Sequence, residues 1–214
     1  LQTSALVFAS AGLHKKMKGK LGGFGLALAL LAGLLLGVPT AHAKPYLTRE
    51  QAEGICFPEA DTIEWKSHRY TPAQAMDIRK ASGLMVIDPG IWYGVALKDK
   101  KVVGVLVFDR ARGKHELIDY VIALTPEGKV RQIEILEYRE SWGHEVRRAG
   151  WRQQFVNKDA QSKLKLHDGI HNIAGATISC RNVTDGVRRT THAWHVVVHP
   201  ALVTAGRLPK LANN

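Results

Sequence analysis

Cysteine is scarce in this chain, and its scarcity removes several chemistries at once. Cys56 and Cys180 are the two thiols among 214 residues, too few for a four-cysteine iron–sulfur cluster. There is no Cys-x-x-Cys-His sequence, which excludes a covalently attached c-type haem. Any redox cofactor must therefore be organic, or a metal held by other ligands. A Gly-x-Gly-x-x-Gly fingerprint after a strand is also missing, so nothing marks a nicotinamide-binding unit. Blocks of five or six like charges and basic runs interleaved with aromatics are absent as well. Together with the export expected from the N-terminal run described next, this removes nucleic acid from the expected partners.

Long apolar runs are equally rare. The one from Leu21 to Val38 follows Lys15, Lys16, Lys18 and Lys20 and precedes Pro39. The chain starts at Leu1, and the residues before Met17 read as an over-extended start. Ala41-His42-Ala43 places small residues where a signal peptidase reads them, so residues 1–43 are expected to be a signal peptide. The rival is an uncleaved membrane anchor, since 18 apolar residues nearly span a bilayer of ~30 Å. Lysines on the near side of the run make either version export the remainder of the chain. The expected location is periplasmic or otherwise extracytoplasmic, free or at a membrane surface. Beyond residue 43 there are 26 basic and 19 acidic residues, a net of +7 with histidine neutral. That excess reads as a solvated surface suited to an acidic redox partner. An oxidising compartment allows Cys56 and Cys180 to pair, but sequence leaves their separation open.

The remaining stretch of ~170 residues is enough for one domain with a proper core. Thr48 with Gln51 three residues on has the form of a capping box. A short strand is expected over 62–70. Thr71-Pro72 then opens a helix over 73–81 that stops at Gly83. Residues 44–90 thus form an N-terminal helical packing segment. From Ile91 the period changes to strands. Runs over 91–97, 102–108, 116–124 and 130–138 form an antiparallel meander, with turns at Asp99-Lys100 and Pro126-Glu127-Gly128. The second run is apolar almost throughout and is expected in the centre of the sheet. In the third, Ile118, Tyr120, Ile122 and Leu124 share one face. Residues 145–156 have helical spacing, and a long helix is expected from Ser179 to Val198, ended by Pro200. A weakly ordered tail is expected over 201–214. The fold class is α+β: an antiparallel sheet packed with helices.

The decisive stretch is His171-Asn172-Ile173-Ala174-Gly175-Ala176-Thr177-Ile178-Ser179-Cys180. It sets a threonine hydroxyl and unpaired backbone N–H groups at a helix N-terminus, which attracts anions. Gly175 and Ala176 allow close approach to the backbone. A phosphate or carboxylate site is one reading; a capped helix start after a loop is the other. The nearby pair His167 and His171 beside Asp168, and the helical row His192, His195 and His199, have spacings that suggest ligands. Without a third strong ligand or a carboxylate on the same face, they are read as loop and packing residues.

Gly175-Ala176-Thr177-Ile178-Ser179 followed by Val183-Thr184-Asp185-Gly186-Val187 resembles the signature of the FMN-binding domain family. This domain occurs in subunits of the sodium-pumping NADH:quinone reductase, the Rnf complex and NosR-type regulators, and the similarity extends over residues 91–190. His171 and Ala174 stand where members often have Asp and Ser or Thr; Cys180 replaces a frequent Ser or Thr. The resemblance implies FMN joined to Thr177 by a phosphoester bond, installed outside the cytoplasm by a flavin transferase. It implies a 91–200 domain in which Ala174, Gly175, Ala176, Ile178 and Ser179 surround the phosphate end. The loop Arg139-Glu140-Ser141-Trp142-Gly143-His144 resembles the family's Glu-Thr-Pro-Gly loop. Glu140 and Ser141 are accordingly expected at the ring or ribityl chain, Trp142 over a ring face and Tyr93 near the ring. The expected role is an electron-transfer module with a membrane or periplasmic redox partner, rather than a complete oxidoreductase. The alternative is an accessory or sensor module of a membrane redox complex that carries no covalent flavin.

Overall fold

Two threonines begin the two helices of the N-terminal segment in the same way. In α1 (Arg49–Cys56) the Gln51 N–H donates to Thr48 Oγ1 at 3.2 Å, and the Thr48 N–H donates to Gln51 Oε1 at 2.8 Å. In α2 (Pro72–Ser82) Thr71 and Gln74 repeat this box, and the helix stops at Gly83 in the left-handed region. Both boxes satisfy amides that a helix start leaves unpaired. The computed structural model describes residues 46–139 and 143–211. The N-terminal apolar run, the three loop residues Glu140, Ser141 and Trp142, and residues 212–214 lie outside the described residues.

Five strands form one antiparallel meander in chain order: β1 (Thr62–Arg69), β2 (Gly90–Lys98), β3 (Lys101–Arg112), β4 (Leu117–Leu124) and β5 (Val130–Tyr138). The strand ahead of residue 90 pairs with β2 from Thr62↔Leu97 to Arg69↔Gly90, so a division at residue 90 falls between neighbours of one sheet. The apolar β3 lies in the centre, as its composition predicts, because both of its faces are covered. Tyr93, Val95, Val105, Val107, Ile118, Tyr120, Ile122 and Leu124 enter the larger core with the C-terminal helix. Ala96, Leu106, Val121 and Ala123 face the other way and pack with Ala52 and Cys56 of α1 and with Phe57 just after it. Cys56 and Cys180 therefore belong to cores on opposite faces of the sheet, and both are free. Burial pushes the Cys56 thiol up to about 12 and raises that of Cys180 as well.

Residues 145–156 do not form the continuous helix that their spacing predicts. They fold as a 3₁₀ turn (His144–Arg147), a short helix α3 (Ala149–Arg152) and a second 3₁₀ turn (Gln153–Phe155). Arg148 is extended (φ −60°, ψ 128°), and this break lets Val146, Trp151 and Phe155 all reach the core. Two short parallel strands, β6 (Lys165–Leu166) and β7 (Gly169–Ile170), lead to the C-terminal helix.

That helix begins as α4 (Thr177–Ala193), widens into a π turn (Trp194–Val198) and continues as α5 (His199–Thr204). Pro200 does not end it, so the segment expected as a tail from residue 201 starts out helical. The π turn carries the His199 N–H to the carbonyl of Trp194, and proline then sits at the start of α5, where its missing N–H is tolerated. His195 and His199 pack their rings around the buried Trp194, with centroids 4.9 and 4.7 Å away, and His199 Nε2 lies 3.0 Å from the Pro209 carbonyl oxygen.

The helix lies so close to the sheet that one position tolerates no side chain. A Cβ on Gly186 would fall 1.8 Å from Tyr120 Oη. That buried hydroxyl donates to Asp109 Oδ2 at 2.5 Å, and Arg189 donates to the same oxygen at 3.3 Å. Gly186→Ala is expected to destabilise the domain by about 1–3 kcal/mol through overpacking, read as a lower urea midpoint with an unchanged slope. A second expectation concerns pH. Burial, then the neighbouring charges of His195 and Arg188, depresses the His192 pKa below 6.5; burial, then His199, depresses that of His195, with Asp159 opposing. Both groups favour the neutral form in the fold, so their stabilisation is complete above 6.5 and is lost as pH falls through the folded values. The melting temperature should drop between about pH 7.5 and about pH 5.5, and His192→Gln/His195→Gln should flatten that drop.

Candidate functional site

α4 starts without a side-chain cap. Its N-cap residue is Ala176, which offers no acceptor, and Thr177 is the first helical residue. The first intrahelical bond runs from the Cys180 N–H to the Ala176 carbonyl at 2.8 Å. The N–H groups of Thr177, Ile178 and Ser179 precede it and have no partner among the described residues, at the positive end of a 17-residue helix. Gly175, at φ 84°, supplies the left-handed step into this turn, and the space where its Cβ would lie is open to 4 Å. Close approach by a bulky anion is therefore sterically allowed.

The threonine hydroxyl is held from one side. Asn172 Nδ2 donates to Thr177 Oγ1 at 2.9 Å. With a lone pair engaged, the hydroxyl keeps its own proton for another acceptor. The segment before it is anchored through its backbone. Trp151 Nε1 donates to the His171 carbonyl at 2.9 Å, and the His171 N–H donates to Gln154 Oε1 at 2.7 Å. Trp151 and Gln154 come from the broken turns over 149–155, so that irregular stretch positions Asn172 and, through it, Thr177.

Thr177 is half-buried, Gly175, Ala174 and Ile178 are exposed, and Ala176 and Ser179 are buried. Ser179 does not face solvent: its Oγ lies 3.1 Å from Tyr138 Oη at the end of β5. Gly143, at φ 88°, packs against this pair. A Cβ there would sit 2.4 Å from Tyr138 Oη, 3.3 Å from Ser179 Oγ and 3.6 Å from Ala176 Cα. The loop after β5 thus returns directly onto the first turn of α4, bringing its glycine to the threonine run. Its residues Glu140, Ser141 and Trp142 lie outside the described residues. Tyr93 is in the larger core on β2, separated from β5 by β3 and β4.

Asn172, Tyr138, Trp151 and Gln154 escaped the sequence reading. Each acts through a contact across 5 to 41 positions of chain, and none has a local pattern that marks it. Two buried acceptor atoms near the turn, Asn172 Oδ1 and Glu145 Oε2, have no donor among the described residues. Glu145 is close enough to raise the Cys180 thiol, after burial, which is the larger cause. Both oxygens are closed off from solvent, so what the turn offers a ligand is its N–H donors, which suit an anion.

A cavity of about 760 Å³ opens elsewhere, over the ends of β1 to β3, with Trp92, Phe108, Arg110 and Arg189 among its walls; Thr177 does not line it. Arg110 and Arg189 are already paired with Asp119 and Asp109. The unpaired amides of α4 are the better-prepared anion site.

Residues 113–192 match the model of the FMN-binding domain family. Over 104 residues the chain is 31% identical to a subunit of the proton-translocating ferredoxin:NAD(+) oxidoreductase complex of Clostridium ljungdahlii, a match covering 45% of this chain and 56% of that protein. The chain thus spans little more than half the length of that relative. Among solved structures it is similar to Shewanella oneidensis NqrC, at 14% identity and a TM-score of 0.49, covering 74% of this chain and 90% of that one. The stretch similar to the FMN-binding domain family, residues 113–192, contains the Thr177 turn and the loop after β5.

Proposed function

We propose that this protein is an exported electron-transfer module that carries FMN on Thr177 through a phosphoester bond and works with a membrane redox complex. The observation that carries the reading is the Thr177 hydroxyl. It is held by Asn172 at 2.9 Å, stands beside three amides with no partner among the described residues, and lies within the stretch that matches the family model. Ser179, the other hydroxyl of the run, is buried against Tyr138 and is a poor acceptor for a transferase.

In this reading the amides of Thr177, Ile178 and Ser179 receive the phosphate oxygens, while Ala174, Gly175 and Ala176 leave room for them. Asn172 directs the Thr177 proton outward, toward the flavin transferase that removes it, and its amide keeps donating to the same oxygen after the ester forms. Glu140 and Ser141 meet the ring or ribityl chain and Trp142 covers a ring face, with the ring directed toward the strand ends on the side of Tyr93. When bound, the flavin supplies two-electron and one-electron redox chemistry; the protein supplies position and electrostatics. The second reading, an accessory or sensor module without covalent flavin, rests on His171 and Ala174 at positions where the family often carries Asp and Ser or Thr.

Co-expression with a flavin transferase in the periplasm separates the two readings. The electron-carrier reading expects a band that fluoresces after denaturation and a mass gain of one FMN less one water. Thr177→Ala should abolish both signals, and Thr177→Ser and Ser179→Ala should retain them. Asn172→Leu should label more slowly to the same end point. An unlabelled wild-type chain beside a labelled control protein would favour the accessory reading.

A further inference from the structure

β1 is an outer strand of the sheet, and one of its edges has no pairing strand among the described residues. The Tyr70 N–H donates to the Pro89 carbonyl at 2.9 Å, and the His68 carbonyl faces β2, 2.3 Å from where a Cβ on Gly90 would lie. Main-chain groups alternate between the two edges of a strand, so those of Thr62, Glu64, Lys66 and His68 turn to β2. Those of Ile63, Trp65, Ser67 and Arg69 turn outward and have no backbone partner among the described residues. The bulky side chains leave this edge clear. Ile63 and Trp65 lean inward over β2, where a Cβ on Gly94 would fall 2.7 Å from Ile63 Cγ2 and 2.9 Å from Trp65 Cζ2. Glu64 and Lys66 stand on the opposite face of the strand. Arg207 donates to both Glu64 oxygens, at 2.7 and 3.3 Å, and lone pairs remain for a further donor. Lys66 has no carboxylate partner among the described residues. A lysine in the middle of an edge deters strand addition unless the incoming strand brings an acid to it.

We propose that the outer edge of β1 pairs with the same edge of a second copy of this chain, antiparallel about a twofold axis at Trp65, to form one ten-stranded sheet. Charge selects the register. With Trp65 opposite the partner's Trp65, outward-turned residues meet outward-turned residues, such as Ile63 and the partner's Ser67, and can exchange hydrogen bonds. Glu64 then stands across from the partner's Lys66, and Lys66 across from the partner's Glu64, in the closer pairs between those hydrogen bonds. Moving the axis to Lys66 or to Glu64 keeps the hydrogen bonds but sets like charges face to face. The arrangement is independent of the flavin reading. It places the two β5 strands, with the Thr177 turns at their ends, on the outer edges of the joint sheet, about 40 Å apart.

The test is sedimentation equilibrium of the full chain as exported, over a concentration series. Wild type is expected to pass from the monomer mass to twice that mass as concentration rises, with the Ile63, Trp65 and Ser67 amides gaining protection from hydrogen exchange. Lys66→Glu and Glu64→Lys each set like charges across the axis twice, and each should raise the dissociation constant by about tenfold or more. An equimolar mixture of these two variants restores opposite charges at both places and should dimerise again. Ser67→Pro removes an outward N–H and spares the bonds to β2, so it should be monomeric with an unchanged far-UV circular dichroism spectrum. A wild type still monomeric at about 1 mM overturns the proposal. So does dimerisation that survives both Lys66→Glu and Glu64→Lys, or a mixture of those variants that stays monomeric. Protection of the three amides in a monomeric chain, only after solubilised membranes are added, assigns the edge to a different protein and likewise overturns it.

Discussion

The close contact of α4 with the sheet at Gly186 is the constraint on which the rest of this structure depends. There the Tyr120 hydroxyl rises from the sheet to where a Cβ would stand, and it is bonded to Asp109, which Arg189 also reaches. A buried hydroxyl and carboxylate are costly unless paired, and here the two satisfy each other with a cation alongside. Burial, followed by the Asp109 carboxylate, keeps the Tyr120 phenol protonated far beyond its ordinary range, so it remains a donor. A helix fixed at Gly186 and Arg189 has little freedom at its first turn. Two further bonds, Asn182 to the end of β3 and Ser179 to the end of β5, hold that turn over the same end of the sheet. Each neutral bond of this kind contributes about 0.5–1.5 kcal/mol, and their main effect is to fix direction.

Charge is sorted along this helix. At its start stand amides with no partner among the described residues, and the exposed Arg181 lies near the Asp185 carboxylate one turn on. In its middle, Arg188 and Arg189 are matched with Asp185 and Asp109. Near its end, burial lowers the pKa of His192 and His195, and the rings of His195 and His199 pack around Trp194. Positive potential is therefore left uncancelled at the end where an anion is expected and is cancelled where the helix must lie against the core.

The other face of the sheet is closed by different means. The Trp65 and Trp92 rings stack at 4.1 Å, Phe108 adjoins both, and the Arg49 guanidinium sits 4.2 Å above Trp92. This cation–π contact, worth about 0.5–2 kcal/mol, fastens the first residue of α1 to the sheet, while Ala52, Cys56 and Phe57 fill the core beneath. With the sheet standing between the two thiols, their pairing is excluded by architecture, although the composition alone allowed it.

Much of the architecture was legible in local pattern. Both capping boxes, the five strand runs, the glycine stop at residue 83 and the central place of β3 follow from hydrogen-bonding groups and hydropathy a few residues apart. Such signals survive without knowledge of the rest of the chain. The long helix was legible as far as the π turn; beyond it the proline rule misled, because a wider turn changes which N–H a proline would have to supply. The break at Arg148 was hidden for a related reason, since helical spacing describes which residues are apolar and not the path by which they reach a core. At the candidate site, the sequence by itself determined the threonine, its small neighbours and the helix that they open, all within one short run. Tertiary structure alone decided that Asn172 holds the hydroxyl, that Ser179 is turned inward to Tyr138, and that Gly143 closes on Ala176. These are choices among side-chain partners distant in the chain, and only the packing of α4 on the sheet brings those partners within bonding distance.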